Sequence, residues 1–228
     1  MTQLTAIING HREGVIAGVT ARNALETIAH AEQQGMEIEL MVILDRADDA
    51  TREIMHAGLG DRASFHETEY GDLGRARVFA TQQAKGEFCT FLDADDLWSL
   101  NWLTEGYAAA KKRPDAIYHS HCNVIFGMER NLWWHIDSEG PFYDPDYMSW
   151  QNYWDSLSFA ATEIYRRHPY RPVDTQRGFA YEDWNWNIVT LNHGIAHKPV
   201  PGTIHFKRRR RGSLLSVVAR NDAVASPD

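Results

Sequence analysis

The chain has 228 residues, of which 43% are hydrophobic and 24% charged, and its formal net charge is −8 at pH 7. This length allows one substantial core, so we expect a single domain over residues 1–220 and a flexible tail over 221–228. The negative charge argues against a nucleic-acid partner, because binding nucleic acid requires a positive surface. No segment has the roughly 18 uninterrupted apolar residues of a membrane-spanning helix.

The first residues and the cysteines bear on localisation. Residues 1–5 lead directly into an apolar run, without the basic and apolar segments of a signal peptide. Cys89 and Cys122 both lie in apolar runs, where reduced, buried thiols are expected rather than a disulfide. Both features predict a cytoplasmic protein.

Apolar runs alternate with helical patterns through the first hundred residues. We predict strands at 4–9, 37–44, 63–68 and 87–92, with helices at about 15–34, 50–57 and 73–85 between them. This alternation is typical of an α/β fold with a mostly parallel central sheet and helices on both faces.

The second half of the chain is less regular. A helix is predicted at about 100–112 and a strand at 116–126, followed by an irregular segment at 128–154. Aromatic side chains are dense in that segment, and they are expected either to contact a ligand or to pack over the sheet. They are Trp133, Trp134, Phe142, Tyr143, Tyr147, Trp150, Tyr153 and Trp154.

Polar residues follow three of the predicted strands, at 9–13, at Asp45 and at 93–96. Ligands bind beyond the carboxyl ends of such strands. Because side chains alternate along a strand, Asp93 and Asp95 can point the same way. Oxygen ligands select Mg²⁺, Mn²⁺ or Ca²⁺. An isolated Asp-x-Asp is commonly a solvated turn, but its position after a buried strand favours a metal site.

Four blocks of sequence, 5–13, 40–51, 71–98 and 181–187, together resemble the family 2 glycosyltransferases, which are inverting enzymes of the GT-A fold. The run Val42-Ile-Leu-Asp-Arg-Ala-Asp-Asp-Ala-Thr51 is similar to the family's Val-Val-Asp-Asp-Gly-Ser-Thr-Asp-Gly-Thr. It departs at Leu44, Arg46 and Ala47. Asp45 falls on the aspartate that the family directs at the nucleotide base.

The fourth strand and the helix before it extend the resemblance. Phe91-Leu-Asp-Ala-Asp-Asp96 is close to the family's metal motif, which implies Asp95 as the metal ligand and Asp93 beside the ribose or a metal-bound water. Asp96 is expected to serve only the turn. The complete donor-binding set implied by the resemblance is Asn9, His11, Glu13, Asp45, Arg77, Asp93 and Ala94.

Glu182-Asp183 resembles the acidic pair that supplies the family's catalytic base, which implies this role for Asp183 and a supporting role for Glu182. We expect the helix macrodipole to keep Asp183 ionised. An apolar seam of Trp184, Ile188, Leu191 and Ile195 is expected to anchor this helix.

The basic segment 207–211 followed by Gly212-Ser213 resembles the family's basic Gly-Ser ending, a loop that often covers the diphosphate. It implies secondary roles for Arg209, Arg211 and Ser213. His205 is a candidate additional metal ligand, because imidazole also binds such ions.

The resemblance implies transfer of a sugar from a nucleotide diphosphate sugar, with UDP favoured, to a saccharide or lipid-linked saccharide. The expected cofactor is Mn²⁺ or Mg²⁺, and the expected setting is bacterial surface polysaccharide or lipopolysaccharide assembly. Residues 1–98 would bind the donor and 99–220 the acceptor. The basic segment 207–211 would touch the inner membrane peripherally, and an oligomer is allowed.

Two other functions remain open at this level. A nucleotidyltransferase would carry a glycine-rich, arginine-containing loop after its first strand, whereas residues 9–14 offer only Gly10 and Gly14. A noncatalytic nucleotide-sugar or carbohydrate-binding module would keep the fold without turnover.

Overall fold

The computed structural model describes residues 2–172 and 181–210. Its first half forms four parallel strands: β1 (Leu4–Gly10), β2 (Ile38–Asp45), β3 (Ala63–Thr68) and β4 (Phe88–Asp93). β1 lies between β2 and β4, and all seven of its residues are buried. A continuous apolar run is typical of parallel strands covered on both faces.

Three helices connect these strands: α1 (Ala17–Gln33), α2 (Asp49–Leu59) and α3 (Leu73–Gln83). Aspartates begin two of them, since the Asp48 side chain accepts a hydrogen bond from Thr51 N and the Asp72 side chain accepts one from Arg75 N, both at 2.8 Å. Such caps satisfy backbone donors that the first helical turn leaves free. The predicted strands and helices of residues 4–93 are therefore confirmed to within a few residues.

The second half consists of β5 (Leu97–Trp98), α4 (Trp102–Lys112), β6 (Ile117–Gly127), β7 (Asn131–Trp134), β8 (Phe159–Ala161), α5 (Thr162–Arg167), α6 (Glu182–Asn192) and β9 (His197–Arg209). β8 pairs antiparallel with β4 and so continues the first half's sheet. The strand order is β3-β2-β1-β4-β8-β6-β9-β5, with β7 on β6. The two halves thus share one mixed sheet.

Contacts among the helices separate them into two groups. α1 contacts α2 and α4, whereas α3 contacts α5 and α6. This grouping agrees with the expected helical layers on the two faces of the sheet. Cys89 and Cys122 are buried free thiols, as expected, and no helix in the described ranges is both long and apolar enough to cross a membrane.

The expected apolar seam on α6 is wrong. The buried residues of this helix are Glu182, Asn185, Trp186, Asn187 and Thr190, and the helix ends before Ile195. Trp186 stacks on Tyr165 and Tyr170, with ring centroids 5.2 and 4.8 Å apart. Aromatic stacking and side-chain hydrogen bonds hold α6, which is why its buried face lacks an aliphatic pattern.

Candidate active site

A cavity of about 590 Å³ lies at the carboxyl ends of the parallel strands. The strand register pairs Asn9 with Ile43 of β2 and with Asp93 of β4, so the residues that follow these strands meet at one edge. The volume is within the range of ligand sites, about 300–1,000 Å³. The predicted residues that line it are Asn9, His11, Glu13, Asp45, Asp93, Asp95, Glu182, Asp183 and Arg209.

The end of β1 supplies an unpaired amide. Asn9 is only 7% exposed, and neither atom of its side-chain amide has a hydrogen-bond partner within the described residues. A buried amide without a partner costs free energy unless a ligand or water meets it. Asn9 is therefore suited to receive polar groups of a ligand.

The residues after β1 fold back against β2. The His11 ring Nδ1 lies 2.6 Å from the Asp45 carbonyl oxygen. The Glu13 carboxylate accepts a hydrogen bond from His11 N at 2.6 Å, and burial raises the pKa of Glu13. This loop lines the cavity, and its two contacts hold it against β2 and against itself.

Asp45 holds the loop that follows β3. Its carboxylate accepts hydrogen bonds from Thr68 Oγ1 at 2.9 Å, Tyr70 N at 2.7 Å and Asp72 N at 3.1 Å. Asp45 also lines the cavity. The carboxylate consequently fixes the shape of this wall as well as facing the space where a ligand would lie.

Two predicted donor residues do not line the cavity. Ala94 is buried, and its N–H donates to the Asn9 carbonyl oxygen at 2.9 Å. Arg77 is fully buried and donates to Glu182 Oε1 at 2.9 Å and to Asp93 Oδ1 at 3.2 Å. Arg77 therefore joins the acidic turn to the start of α6, instead of reaching the ligand space as the resemblance implied.

Lys207 lies inside the acidic turn of residues 93–96. Its Nζ is 3.0 Å from Asp96 Oδ2, 3.3 Å from Asp155 Oδ2 and 3.9 Å from Asp93 Oδ2, and the residue is 6% exposed. Asp96 also accepts a hydrogen bond from Arg208 N at 2.7 Å. Burial raises the pKa of Asp96 to about 7, although Lys207 opposes the shift. Asp96 thus fastens β9 to the turn, which corrects the expectation that it serves the turn alone.

Arg210 occupies the outer side of the same turn. Its Nε lies 3.2 Å from Asp95 Oδ2, its Nη2 lies 3.2 Å from Glu13 Oε1, and its Nη1 donates to the Arg12 carbonyl oxygen at 2.9 Å. Burial raises the pKa of Asp95, Asp93 adds to the effect and Arg210 opposes it. One guanidinium therefore connects the acidic turn to the loop after β1.

His205 does not meet the acidic turn as a metal ligand would. It packs edge-on against Trp102 with ring centroids 4.4 Å apart, and burial lowers its pKa to about 3. It is absent from the cavity lining. The buried face of β9 carries Thr203, His205 and Lys207. Of these, Lys207 is the residue that contacts the acidic turn.

The side chains of the turn do not fit a protein-held metal ion. Asp93, Asp95 and Asp96 are each paired with a cationic side chain. Within residues 2–172 and 181–210, no group of three or more His, Cys, Asp or Glu side chains is placed to hold a metal ion. A hard divalent cation requires such oxygen ligands to be available to it.

Asp183 stands in the first turn of α6 and lines the cavity. Its Oδ1 accepts a hydrogen bond from Trp184 N at 2.8 Å. Burial raises its pKa to about 7, Glu182 adds to the shift and Arg77 opposes it. The expected ionising effect of the macrodipole is outweighed here, because the cost of desolvating a carboxylate is larger. A carboxylate of this pKa can accept a proton near neutral pH.

Tyr181 precedes α6 with φ +65° and ψ +63°, a left-handed conformation that costs about 1–3 kcal/mol for most non-glycine residues. Such strain clusters at functional sites. Tyr181 lines the cavity beside Asp183, which adds to the reasons for placing the chemistry here.

The aromatic segment divides among three environments. Trp133 lines the cavity, and Trp154 is fully buried and stacks on His197 at 4.6 Å. Phe142 and Trp150 are 83% and 80% exposed. Packing within the protein therefore describes Trp154, and contact of Trp133 with an acceptor stays a prediction.

Sequence reasoning missed Asp155, Lys207 and Arg210 as site residues. Asp155 stands in an irregular segment without a motif. Lys207 lies two residues after His205, so it shares a face with His205 once this segment is recognised as a strand. The predicted residues Arg211 and Ser213 lie outside the described residues. The cavity also has Trp184, Gln151, Asn152 and Ser156 in its lining.

Comparisons with known proteins agree with this architecture. The model of the family described as Glycosyl transferase family 2 matches residues 18–173. The structure of S. aureus TarS 1–349 in complex with UDP-GlcNAc is similar with a TM-score of 0.62 and 16% identity, covering 94% of this chain and 61% of that chain. Its complex with UDP gives a TM-score of 0.59 and 16% identity over 96% and 65%. At this identity the likeness shows the fold, and this chain spans less than two-thirds of those structures. A search of curated proteins gave no match.

Proposed function

This chain belongs to glycosyl transferase family 2, and we propose that it transfers a sugar from a nucleotide diphosphate sugar to a hydroxyl group with inversion at the anomeric carbon. The observation that carries the proposal is Asp183, whose pKa of about 7 suits a general base and which lines the same cavity as the carboxyl ends of β1, β2 and β4.

In this mechanism Asp183 removes the proton of the acceptor hydroxyl. The acceptor oxygen forms a bond to the anomeric carbon while the bond from that carbon to the diphosphate oxygen breaks, and the nucleoside diphosphate leaves with the electron pair. Attack from the side opposite the leaving group inverts the configuration and requires no covalent intermediate. The basic end of β9, which lines the cavity, offsets the charge that develops on the diphosphate.

We propose a UDP-sugar as the donor, because the similar TarS structures carry UDP-GlcNAc and UDP in their descriptions. Asn9 and the loop fixed by Asp45 support this part of the proposal, since they offer polar groups at the carboxyl ends of β1 and β2. The divalent metal expected from the sequence is left out, because the carboxylates that would hold it are already paired with cations.

The proposed acceptor is a saccharide of a bacterial surface polysaccharide or its lipid-linked precursor, a suggestion that follows from the family. Three aromatic residues that line the cavity, Trp133, Tyr181 and Trp184, would pack against sugar faces. Two of the cations in residues 207–211 would not be available for a membrane contact. Lys207 is buried, and Arg210 is held by Asp95 and Glu13.

The proposal is tested by thermal stabilisation and turnover with UDP-, GDP- and dTDP-sugars. We expect one donor class to raise the melting temperature, because a ligand at 100 times its Kd stabilises the folded state by about 2.7 kcal/mol. Asp183→Asn should keep this stabilisation and lose at least about a hundredfold in transfer, the usual contribution of a general base.

Asp61→Asn is the matched control, since Asp61 is exposed and does not line the cavity, and it should behave as the wild type. Stabilisation by none of the donors would count against the function. Donor binding without measurable transfer to any saccharide acceptor would instead indicate a noncatalytic binding module.

A further inference from the structure

Each carboxylate of the acidic turn meets a cationic side chain of the chain itself. Asp93 is paired with Arg77 at 3.2 Å, Asp95 with Arg210 at 3.2 Å and Asp96 with Lys207 at 3.0 Å. The cations are Arg77 of α3, Lys207 of β9 and Arg210, which directly follows β9. Each carboxylate that would hold a divalent ion is therefore already in contact with a cation, and each of these cations also meets an acid outside the turn: Glu182 at Arg77, Glu13 at Arg210 and Asp155 at Lys207.

Lys207 of β9 and Arg210, the third residue after it, are both held in place by neighbouring groups. Lys207 is buried with carboxylates from both the turn and Asp155 around its Nζ. Arg210 is fixed by two carboxylates and by the Arg12 carbonyl oxygen. Charges positioned in advance need no reorganisation when a ligand binds.

The neighbouring cations of β9 are placed differently. Arg208 and Arg209 line the cavity, and neither forms a salt bridge within residues 2–172 and 181–210. Cationic side chains in a partly enclosed cavity favour a diphosphate, which carries its charge on several oxygens.

We propose that Lys207 and Arg210 neutralise the acidic turn in place of a divalent metal ion, and that Arg208 and Arg209 bind the donor diphosphate. This inference rests on the proposed function and deepens it, because it makes donor binding independent of metal. A divalent ion at Asp95 would have to displace Arg210 and stand close to Lys207, and like charges repel strongly in a buried site.

The first measurement is calorimetric titration of the wild-type protein with UDP, GDP and dTDP, in EDTA and again with Mn²⁺. We expect the best nucleotide to bind with a Kd that changes by less than about threefold between the two conditions. A tenfold change in Kd would correspond to about 1.4 kcal/mol of binding free energy. Tightening of tenfold or more on adding Mn²⁺ would overturn the inference.

The second measurement follows free Mn²⁺ by electron paramagnetic resonance without nucleotide. The wild type should bind Mn²⁺ weakly, and Arg210→Gln should bind it about tenfold more tightly, because Asp95 is then released from its pair. Arg62→Gln is the matched control. The Arg62 side chain is 33% exposed and paired with Glu32, against 28% for Arg210, and its loss should leave Mn²⁺ binding unchanged.

The variants also separate the roles of the cations. Arg209→Gln should weaken nucleotide binding about tenfold in EDTA and in Mn²⁺ alike, whereas Arg210→Gln should make binding respond to Mn²⁺. Tight Mn²⁺ binding by the wild type, or no gain in Arg210→Gln, would refute the inference. If no nucleotide binds at all, the proposed function fails, and the Mn²⁺ titrations still decide whether the turn accepts a metal.

Discussion

Asp183 and Glu182 are neighbours with different tasks. Glu182 accepts a hydrogen bond from the buried guanidinium of Arg77 at 2.9 Å, while Asp183 lines the cavity with a pKa raised to about 7. A carboxyl with this pKa changes from acid to base within the physiological range. In the proposed mechanism, Glu182 therefore supports the site through Arg77 and Asp183 takes the proton.

The pH dependence of transfer should report this base. Asp183 works when deprotonated, so we expect kcat/KM to rise about tenfold per pH unit up to about pH 7 and then to level off, giving roughly a hundredfold difference between pH 5 and pH 8. Initial rates over pH 5–8 measure it, with nucleotide Kd values at both ends separating binding from chemistry. A flat profile would contradict the assigned role of Asp183.

The motifs of the sequence identified the acids of the site better than their partners. Asp45, Asp93, Asp95 and Asp183 line the cavity. The first three were expected from positions after a strand, and Asp183 from the resemblance to the family's acidic pair. The ion pair of Arg77 with Glu182 joins positions 105 residues apart. No local pattern encodes such a pair, so Arg77 was placed in its helix but not in its role.

At the scale of elements, the parallel strands were predictable and β8 and β9 were not. β1 and β2 are largely apolar runs, and the Asp48 cap of α2 follows β2, features that local reasoning detects. β8 has only three residues, and β9 contains Pro199, Pro201 and Gly202, residues that argue against a strand. Pairing with β6, and not local propensity, makes β9 a strand.

β9 carries a buried histidine, His205, which lowers the stability of the folded protein at acidic pH. Burial lowers the pKa of His205 from 6.5 to about 3. Between these values the unfolded chain binds a proton that the folded chain does not, so stability is complete above about pH 6.5 and falls as pH decreases. At pH 5 this linkage costs about 2 kcal/mol for a group with these pKa values.

His205→Leu removes this penalty. We expect the change in unfolding free energy caused by the substitution to be about 2 kcal/mol more favourable at pH 5 than at pH 8. Urea denaturation of both proteins at the two pH values measures it, and the pH 8 comparison isolates any packing effect against Trp102. An equal effect at both pH values would show that His205 does not stay neutral in the folded state.

The whole molecule is built around one sheet shared by both halves of the sequence. β8 pairs with β4, and β5 pairs with β9, so the strands β8, β6 and β9 of residues 99–220 lie between β4 and β5 of residues 1–98 in the hydrogen-bonded order. Residues expected to bind donor and acceptor therefore stand on a common support. The sheet is complete only when strands of both halves are paired.

Thermal unfolding should consequently be a single transition, which is a stringent expectation for a chain above about 150 residues. Differential scanning calorimetry measures it, and we expect a ratio of calorimetric to van't Hoff enthalpy close to about 1. Two resolved transitions would contradict the single domain predicted for residues 1–220.

The bridge formed by Arg77 also limits how the chain can be recombined. One guanidinium holds Asp93 at the end of β4 and Glu182 at the start of α6. A chimera that takes its acceptor-side segment from a relative must therefore bring an acid to position 182. Otherwise the buried guanidinium of Arg77 loses its shorter contact, at 2.9 Å, and keeps the one to Asp93 at 3.2 Å. Attempts to graft a new acceptor preference should keep residues 77, 93 and 182 together as one exchanged unit.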